Sequence, residues 1–338
     1  MTRILILGGT AWLGREIAEQ LAANGDDVTC LARGESGEAA PGVNFVRADR
    51  DLDDGLSAVA DDAWDAVIDV SRQPGQVKRA VRDLQRSTQK YVFISSANAY
   101  ADQSRLGQDE DAPLMAPLEG DVMETMSTYG EAKVACEQAV VDGFGVARSL
   151  VVRVGLIGGP GDTFGRTGYW PLRFAHPSTP DNSVLAPCAP DLPTSIIDVR
   201  DLAAWIVRAA KTQIHGVFNA TGDVHTFDEH LAVARRISGH TGPLVVAPPE
   251  WLRQHGVEEW AGEKSLPLWL DDPEWRGMNA RSNKRAKAAG LTLRPLEETL
   301  VDTLDWETST GIDKPRRAGL SSSDEAQLLK EFHQVHRS

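Results

Sequence analysis

Tyr129 and Lys133 stand four residues apart in Ser127-Thr128-Tyr129-Gly130-Glu131-Ala132-Lys133. A helix there carries both side chains on one face. A free phenol titrates at about 10 and is a poor acid or base at neutral pH. A neighbouring ammonium favours the phenolate and turns the pair into a general acid/base. A hydroxyl stands ready upstream, where Val92-Phe93-Ile94 runs into Ser95-Ser96. At the carboxyl end of a central strand, Ser96 would orient a substrate carbonyl or alkoxide, with Ser95 turned to the sheet interior and Asn98 beside the substrate. Ser96, Tyr129 and Lys133 together suit proton transfer at a carbon–oxygen centre.

The elements that must hold them follow the rhythm of βαβ units. Short apolar runs at residues 3–7, 27–31, 43–47, 66–69 and 91–95 alternate with helical stretches. Most are continuous β-branched or aliphatic runs, as strands buried on both faces require. A helix is expected at 14–24, another at 129–141 before a strand at 149–154, and a helix at 201–210 between strands at 196–199 and 217–219. Residues 158–195 are rich in Gly, Pro and Asp and read mostly as loop. From Thr226 on, helical segments carry Trp251, Trp260, Trp269 and Trp275. The expected fold is α/β: a Rossmann-type doubly wound parallel sheet with a smaller, mainly helical C-terminal cap domain. Residues 1–165, completed by 195–225, form the dinucleotide-binding domain. Residues 166–194 and 226–320 form the cap, and 321–338 a C-terminal helix or tail.

Between the first strand and the first helix lies Gly8-Gly9-Thr10-Ala11-Trp12-Leu13-Gly14. Glycines there let the backbone turn tightly and approach a pyrophosphate, whose charge rests on the helix N-terminus. Ala11 stands where the central glycine of the usual spacing would be. Gly8, Thr10, Ala11, Trp12, Leu13 and Gly14 are therefore the expected pyrophosphate contacts. At the end of the second strand an NAD-selective site places a carboxylate on the ribose 2′-hydroxyl. Here that position is Ala32, followed by Arg33, whose guanidinium suits a 2′-phosphate, so NADP(H) is expected over NAD(H). Asp49 is placed to accept from the adenine amino group, with Arg50 beside it. Val70 and Ser71 fall at the nicotinamide end and Arg72 within reach of substrate. The positive nicotinamide of an oxidised cofactor reinforces the phenolate of Tyr129, and Lys133 can also hold the nicotinamide ribose.

Composition narrows the partners. The 338 residues carry a net charge of −14, which disfavours the cationic face that nucleic acid requires. No run approaches the roughly 18 apolar residues of a membrane helix. Cys30, Cys136 and Cys188 lie far apart and give neither a disulfide framework nor metal-ligand spacing, so a reducing cytoplasm is expected. The partner is a small-molecule substrate, and a homodimer is compatible with the chain.

Taken together, Gly8–Gly14, Asp49-Arg50, Ser95-Ser96, Tyr129 with Lys133, residues 197–202 and residues 279–285 make the chain resemble the short-chain dehydrogenase/reductase superfamily. The likeness is to its extended or atypical, NAD-dependent epimerase/dehydratase-like branch, and it spans almost the whole chain. It implies that Tyr129 is the acid/base, that Lys133 binds ribose and lowers the phenol pKa, and that Ser96 orients substrate. Departures bear on the substrate. Leu156 stands where the family's nucleotide-sugar enzymes place a pyrophosphate-binding asparagine, and Thr194 where they tend to place an arginine. Ala97 and Asn98 replace the acidic pair of dehydratases. The loop at 159–170 offers Arg166, Tyr169 and Trp170 as a lid over an apolar or aromatic molecule. The leading expectation is an NADP(H)-dependent reductase or dehydrogenase of a small carbonyl or alcohol. The alternatives are an epimerase of a sugar or related polyol that retains NAD, and a non-catalytic dinucleotide-binding regulator.

Overall fold

A computed structural model describes residues 1–312, 314 and 316–336; residues 337–338 of the expected tail lie outside them. The first strands are β1 (Arg3–Leu7), β2 (Asp27–Ala32), β3 (Asn44–Arg47), β4 (Trp64–Asp69), β5 (Thr88–Ser96) and β6 (Ser149–Val154). They are followed by β7 (Leu156–Gly158), β8 (Val184–Pro187), β9 (Pro193–Asp198), β10 (Gly216–Ala220), β11 (Val224–Thr226) and β12 (Leu244–Ala247). The helices begin with α1 (Trp12–Ala23), α2 (Pro74–Leu84), α3 (Tyr129–Phe144), α4 (Tyr169–Ala175) and α5 (Val199–Ala210). The remainder are α6 (Phe227–Ile237), α7 (Pro249–Gln254), α8 (Lys284–Ala288), α9 (Leu296–Thr310) and α10 (Ser322–His336).

Two compact units result. The first comprises Met1–Gly155, Val199–Thr221 and Arg281–Thr292. Its seven strands lie in the order β10-β6-β5-β4-β1-β2-β3, and every pairing is parallel. The central strands are buried on both faces: four of the five residues of β1 and all six of β6 are inaccessible. Edge strand β3 is mostly exposed. Leu5, Leu7, Val67 and Phe93 pack against Val77 and Ala80 of α2 and Cys136 and Val140 of α3. Helices α1 and α5 pack together in the same unit. This is the doubly wound Rossmann arrangement, with its ligand crevice at the carboxyl ends of the strands where the order reverses, between β1 and β4.

The second unit comprises Leu156–Asp198, Gly222–Ala280 and Leu293–Ser338. Its core gathers Trp170, Phe174, Phe227, Trp269 and Leu300. Helices dominate, but small sheets run through it: β11-β9-β7, β12-β8 and a short pairing of Glu258–Glu259 with Ser265–Leu266. Residues 158–195, expected mostly as loop, contain α4, β8 and the first half of β9. Pro171 does not break α4, because it falls in the first turn, where the missing N–H would lack an intrahelical partner anyway. The first unit stops at Gly155, ten residues earlier than expected, because Leu156–Gly158 pairs with β9. Residues 281–292, expected in the cap, belong to the first unit, where α8 packs on β10.

Candidate functional site

The glycine turn has the shape its sequence requires. Gly8 sits at φ +98°, and its amide donates to the Leu31 carbonyl at 3.0 Å, tying the turn to the end of β2. A Cβ on Gly14 would stand 2.3 Å from the Gly8 carbonyl oxygen, so only glycine lets α1 approach the turn this closely. Ala11, at the N-cap of α1, gives no side-chain cap, and the first turn holds no acidic residue. Its N–H groups and the helix dipole suit a pyrophosphate. Thr10 and Leu13 are buried beneath the turn, Ala11 is exposed and Trp12 half-buried.

At the end of β2, Arg33 does not stand alone. Its Nη2 lies 3.2 Å from Glu35 Oε2, with both side chains more than half exposed. Sequence reasoning passed over Glu35; the signal was a carboxylate within three residues of the position that selects the cofactor. Asp49 is half-buried, and its Oδ1 accepts from the Asp51 amide at 2.9 Å. Arg50 departs from expectation. It is 8% exposed, and its guanidinium bonds both oxygens of buried Asp69 at 3.1 Å. Asp69 also accepts from the Tyr91 hydroxyl at 2.7 Å. Burial alone would lower the Arg50 pKa, but Asp69 raises it. Arg50 therefore braces β4 from within and has no guanidinium edge to offer the adenine.

Val70 packs against Gly8, a Cβ on which would lie 2.5 Å from the valine Cγ2. Ser71 is buried; its hydroxyl donates to Gln76 Oε1 at 2.7 Å. Its carbonyl accepts from Lys133 Nζ at 2.7 Å, and so does the Ile94 carbonyl at the same distance. Lys133 is 3% exposed and lies 5.8 Å from the Tyr129 ring centroid and 4.9 Å from that of Phe93. Two of its three N–H bonds thus fix the ammonium between β4 and β5, leaving a third for a ribose or a phenol. Tyr129 opens α3 and is half-buried. Next to it, Gly130 presses on the turn after β5: a Cβ there would stand 2.3 Å from the Asn98 carbonyl oxygen. The start of α3 and the end of β5 are held together by that contact.

Ser96 caps the 3-10 turn Ala97–Ala99, accepting from the Asn98 amide at 3.2 Å and donating to Asn98 Oδ1 at 3.3 Å. Ser95, buried as expected, donates to Glu137 Oε1. Glu137 lies eight residues, two turns, beyond Tyr129. It is bound by Arg153 through Nη2 at 2.7 Å and Nε at 3.0 Å. This buried group also escaped sequence reasoning, because nothing local marks a helix carboxylate as facing an arginine on a later strand.

The expected substrate residues are divided between the two units. Arg72 is exposed and Asn98 half-buried in the first unit. In the second unit, Arg166 stands 5.1 Å from the ring centroids of both Phe164 and Trp260. It has no carboxylate within ion-pair distance among the described residues, and burial lowers its pKa. Trp170 is fully buried, with Nε1 donating to the Pro267 carbonyl at 2.8 Å. It is a packing residue and has no face for a ligand, which corrects its assignment to a lid. Tyr169 is 2% exposed and borders a cavity within the second unit. Leu156 is in the core, and Thr194, 1% exposed, donates to the His225 carbonyl at 3.3 Å.

Fold and crevice define a dinucleotide-binding protein of the Rossmann class. The family model for the NAD dependent epimerase/dehydratase family matches residues 4–221, and the chain belongs to that family. No curated protein sequence matches it. Among solved structures it resembles a putative epimerase from Burkholderia cenocepacia J2315, with 22% identity and a TM-score of 0.65 over 90% of this chain and 97% of that one. UDP-N-acetylglucosamine 4-epimerase from Bacillus cereus matches with 17% identity and a TM-score of 0.65, covering 93% and 98%. The Bordetella bronchiseptica enzyme WbmG, solved with NAD and UDP, matches with 16% identity and a TM-score of 0.65, covering 94% and 98%. At these identities the structures establish a shared fold. Among the described residues no helix is long and apolar enough to cross a membrane.

Proposed function

We propose that the chain is an NAD-dependent, epimerase-type oxidoreductase of a sugar or related polyol that keeps its dinucleotide bound. The observation that carries the reading is Lys133, buried one turn behind Tyr129 and fixed by two main-chain carbonyls with one N–H to spare. The Gly8–Gly14 turn fits a dinucleotide, since the space a Gly14 side chain would fill is taken up by the turn itself. When bound, the nicotinamide supplies a hydride acceptor that can return the hydride to the same substrate carbon. Tyr129 takes the hydroxyl proton as the alcohol is oxidised and gives it back on reduction. Lys133 holds the ribose and the charge beside the phenol, and Ser96 donates to the substrate oxygen once its hydroxyl turns from Asn98.

The Arg33–Glu35 pair favours NAD, because Glu35 repels a 2′-phosphate and can accept from a 2′-hydroxyl. NAD bound to WbmG supports the same choice. Burial of Leu156 and Thr194 argues for a substrate without a nucleotide diphosphate, as neither offers a charge-assisted donor. The second reading, an NADP(H) reductase of a small carbonyl, rests on Arg33 alone. Mass spectrometry of the dinucleotide released on denaturing the purified protein separates the two. Near-stoichiometric NAD or NADH is expected. Protein free of dinucleotide that binds NADPH at least about tenfold tighter than NADH would overturn the reading in favour of the reductase.

A further inference from the structure

Residues 279–285 carry part of the family likeness and belong neither to the glycine turn nor to the Tyr129 helix. Within the first unit Arg281 reaches the end of β5 from this segment. Its guanidinium carbon lies 4.5 Å from the ring centroid of Tyr100, the residue that ends the 3-10 turn after Ser96. Arg281 is 2% exposed, and each of its hydrogen bonds goes to a neutral acceptor. Nη1 donates to Gln108 Oε1, and Nη2 donates to Gln103 Oε1 at 2.5 Å and to the Asp102 carbonyl at 3.0 Å. The Asp102 carboxylate is occupied elsewhere: Oδ1 accepts from the Ser104 amide at 2.8 Å and its hydroxyl at 2.7 Å. Burial pushes the Arg281 pKa down to about 10, so the group stays charged at neutral pH.

A guanidinium has donors and no acceptor, so the Gln103 atom that faces it must be the oxygen. The amide nitrogen is thereby turned the other way. Nε2 donates to the Ala97 carbonyl at 3.3 Å and to the Tyr100 carbonyl at 2.8 Å. These two carbonyls bracket the turn Ala97–Ala99 that Ser96 caps. Gln103 is itself buried, at 6% exposure. Gly130 of α3 meets the same turn at the Asn98 carbonyl, so the turn is held to the Tyr129 helix and to Gln103 at once. Arg281 has a firm base. The Asn219 side-chain amide, at the end of β10, donates to the Ser282 carbonyl at 3.2 Å. The Ser282 amide donates to the Gln108 carbonyl at 2.9 Å.

We propose that Gln103 and Arg281 are positioning residues for Ser96. Arg281 fixes which way the Gln103 amide faces, and Gln103 fixes the turn that aims the Ser96 hydroxyl. The part of Ser96 in the reaction rests on the proposed function, whereas the hold on its turn does not.

Gln103→Glu separates the two halves of this relay. Its carboxylate keeps an oxygen for Arg281 and gives the buried cation a counter-charge, but it offers the Ala97 and Tyr100 carbonyls no N–H. The full-length variant should fold and retain its dinucleotide. Amide hydrogen exchange in residues 97–100 should nonetheless speed up at least about fivefold. Arg281→Met, which lets the Gln103 amide turn over, should show the same acceleration. In protein that carries its nicotinamide, Gln103→Glu should slow reduction by a reactive sugar or polyol about tenfold at saturation, with the half-saturating concentration little changed. Combined with Ser96→Ala, it should slow the reaction no further than Ser96→Ala alone, because a positioning residue acts only through the group it positions. A merely structural role would multiply the two losses. Exchange is read without substrate, so it decides on the turn even where the redox reading fails. Exchange that stays at the wild-type rate in either variant, or losses that multiply in the double variant, overturns the proposal.

Discussion

Replacing Glu35 by Gln isolates the group to which we assign cofactor choice. Glu35 Oε2 lies 3.2 Å from Arg33 Nη2, and the side chains are 63% and 53% exposed. A pair this exposed contributes no more than about 1 kcal/mol to stability, so the substitution should leave the fold intact. Its effect on a 2′-phosphate is electrostatic. Two unit charges about 4 Å apart in water-like surroundings interact by about 1 kcal/mol, and a phosphate brings up to about two charges. Freed from Glu35, Arg33 should bind NADPH tighter by about 1–2 kcal/mol, roughly five- to thirtyfold. NADH, whose 2′-hydroxyl then donates to a neutral amide oxygen in place of a carboxylate, should weaken by no more than about 1 kcal/mol. Competition between the two dinucleotides, read as the fraction of each recovered from the protein, gives the ratio directly. The gain in NADPH should shrink as salt is raised. A ratio that Glu35→Gln leaves unchanged, or moves toward NADH, would refute the role given to Glu35.

Gly14→Ala places a Cβ 2.3 Å from the Gly8 carbonyl oxygen; strain of about 1–3 kcal/mol in the turn should lower dinucleotide affinity by roughly ten- to a hundredfold, measured by retention through gel filtration. Glu137→Gln leaves Arg153, with a side chain only 4% exposed, without its carboxylate; urea denaturation should show a loss of about 3–5 kcal/mol, most of it recovered in the double variant Glu137→Leu/Arg153→Met. His230 is 1% exposed, neither ring nitrogen has a hydrogen-bond partner among the described residues, and burial, reinforced by His225, pushes its pKa down to about 3. The unfolded chain therefore binds a proton that the folded one refuses, and stability falls as pH drops from about 6.5 toward 3, by up to about 1.4 kcal/mol per unit. His230→Leu should flatten that slope in denaturation series between pH 4 and 6.

What was legible in the sequence is what local chemistry dictates. Arg-Ile-Leu-Ile-Leu followed by glycines can only be a buried strand running into a tight turn, and Tyr129 and Lys133 share a helix face by spacing alone. Partners chosen by tertiary packing were not legible. Arg50 reads as a cofactor contact beside Asp49 until β4 brings Asp69 against it. Trp170 reads as part of a lid because its neighbours are glycines, although its indole belongs to a core assembled from Phe174, Phe227 and Trp269. The pairing of β12 with β8 joins residues 60 apart in sequence, Leu244 with Val184, through two runs of four residues, too short to carry a periodic signal.

The central claim is that Tyr129 moves the proton while a retained dinucleotide moves the hydride. It is tested most directly by mixing NAD-loaded protein with a panel of free sugars and polyols and following the absorbance of reduced nicotinamide. The wild-type protein should form protein-bound NADH with at least one of them. Tyr129→Phe should keep its dinucleotide and react about a hundredfold more slowly. A Tyr129→Phe protein that reduces its nicotinamide at the wild-type rate, or a wild-type protein that no member of the panel reduces, would contradict the claim.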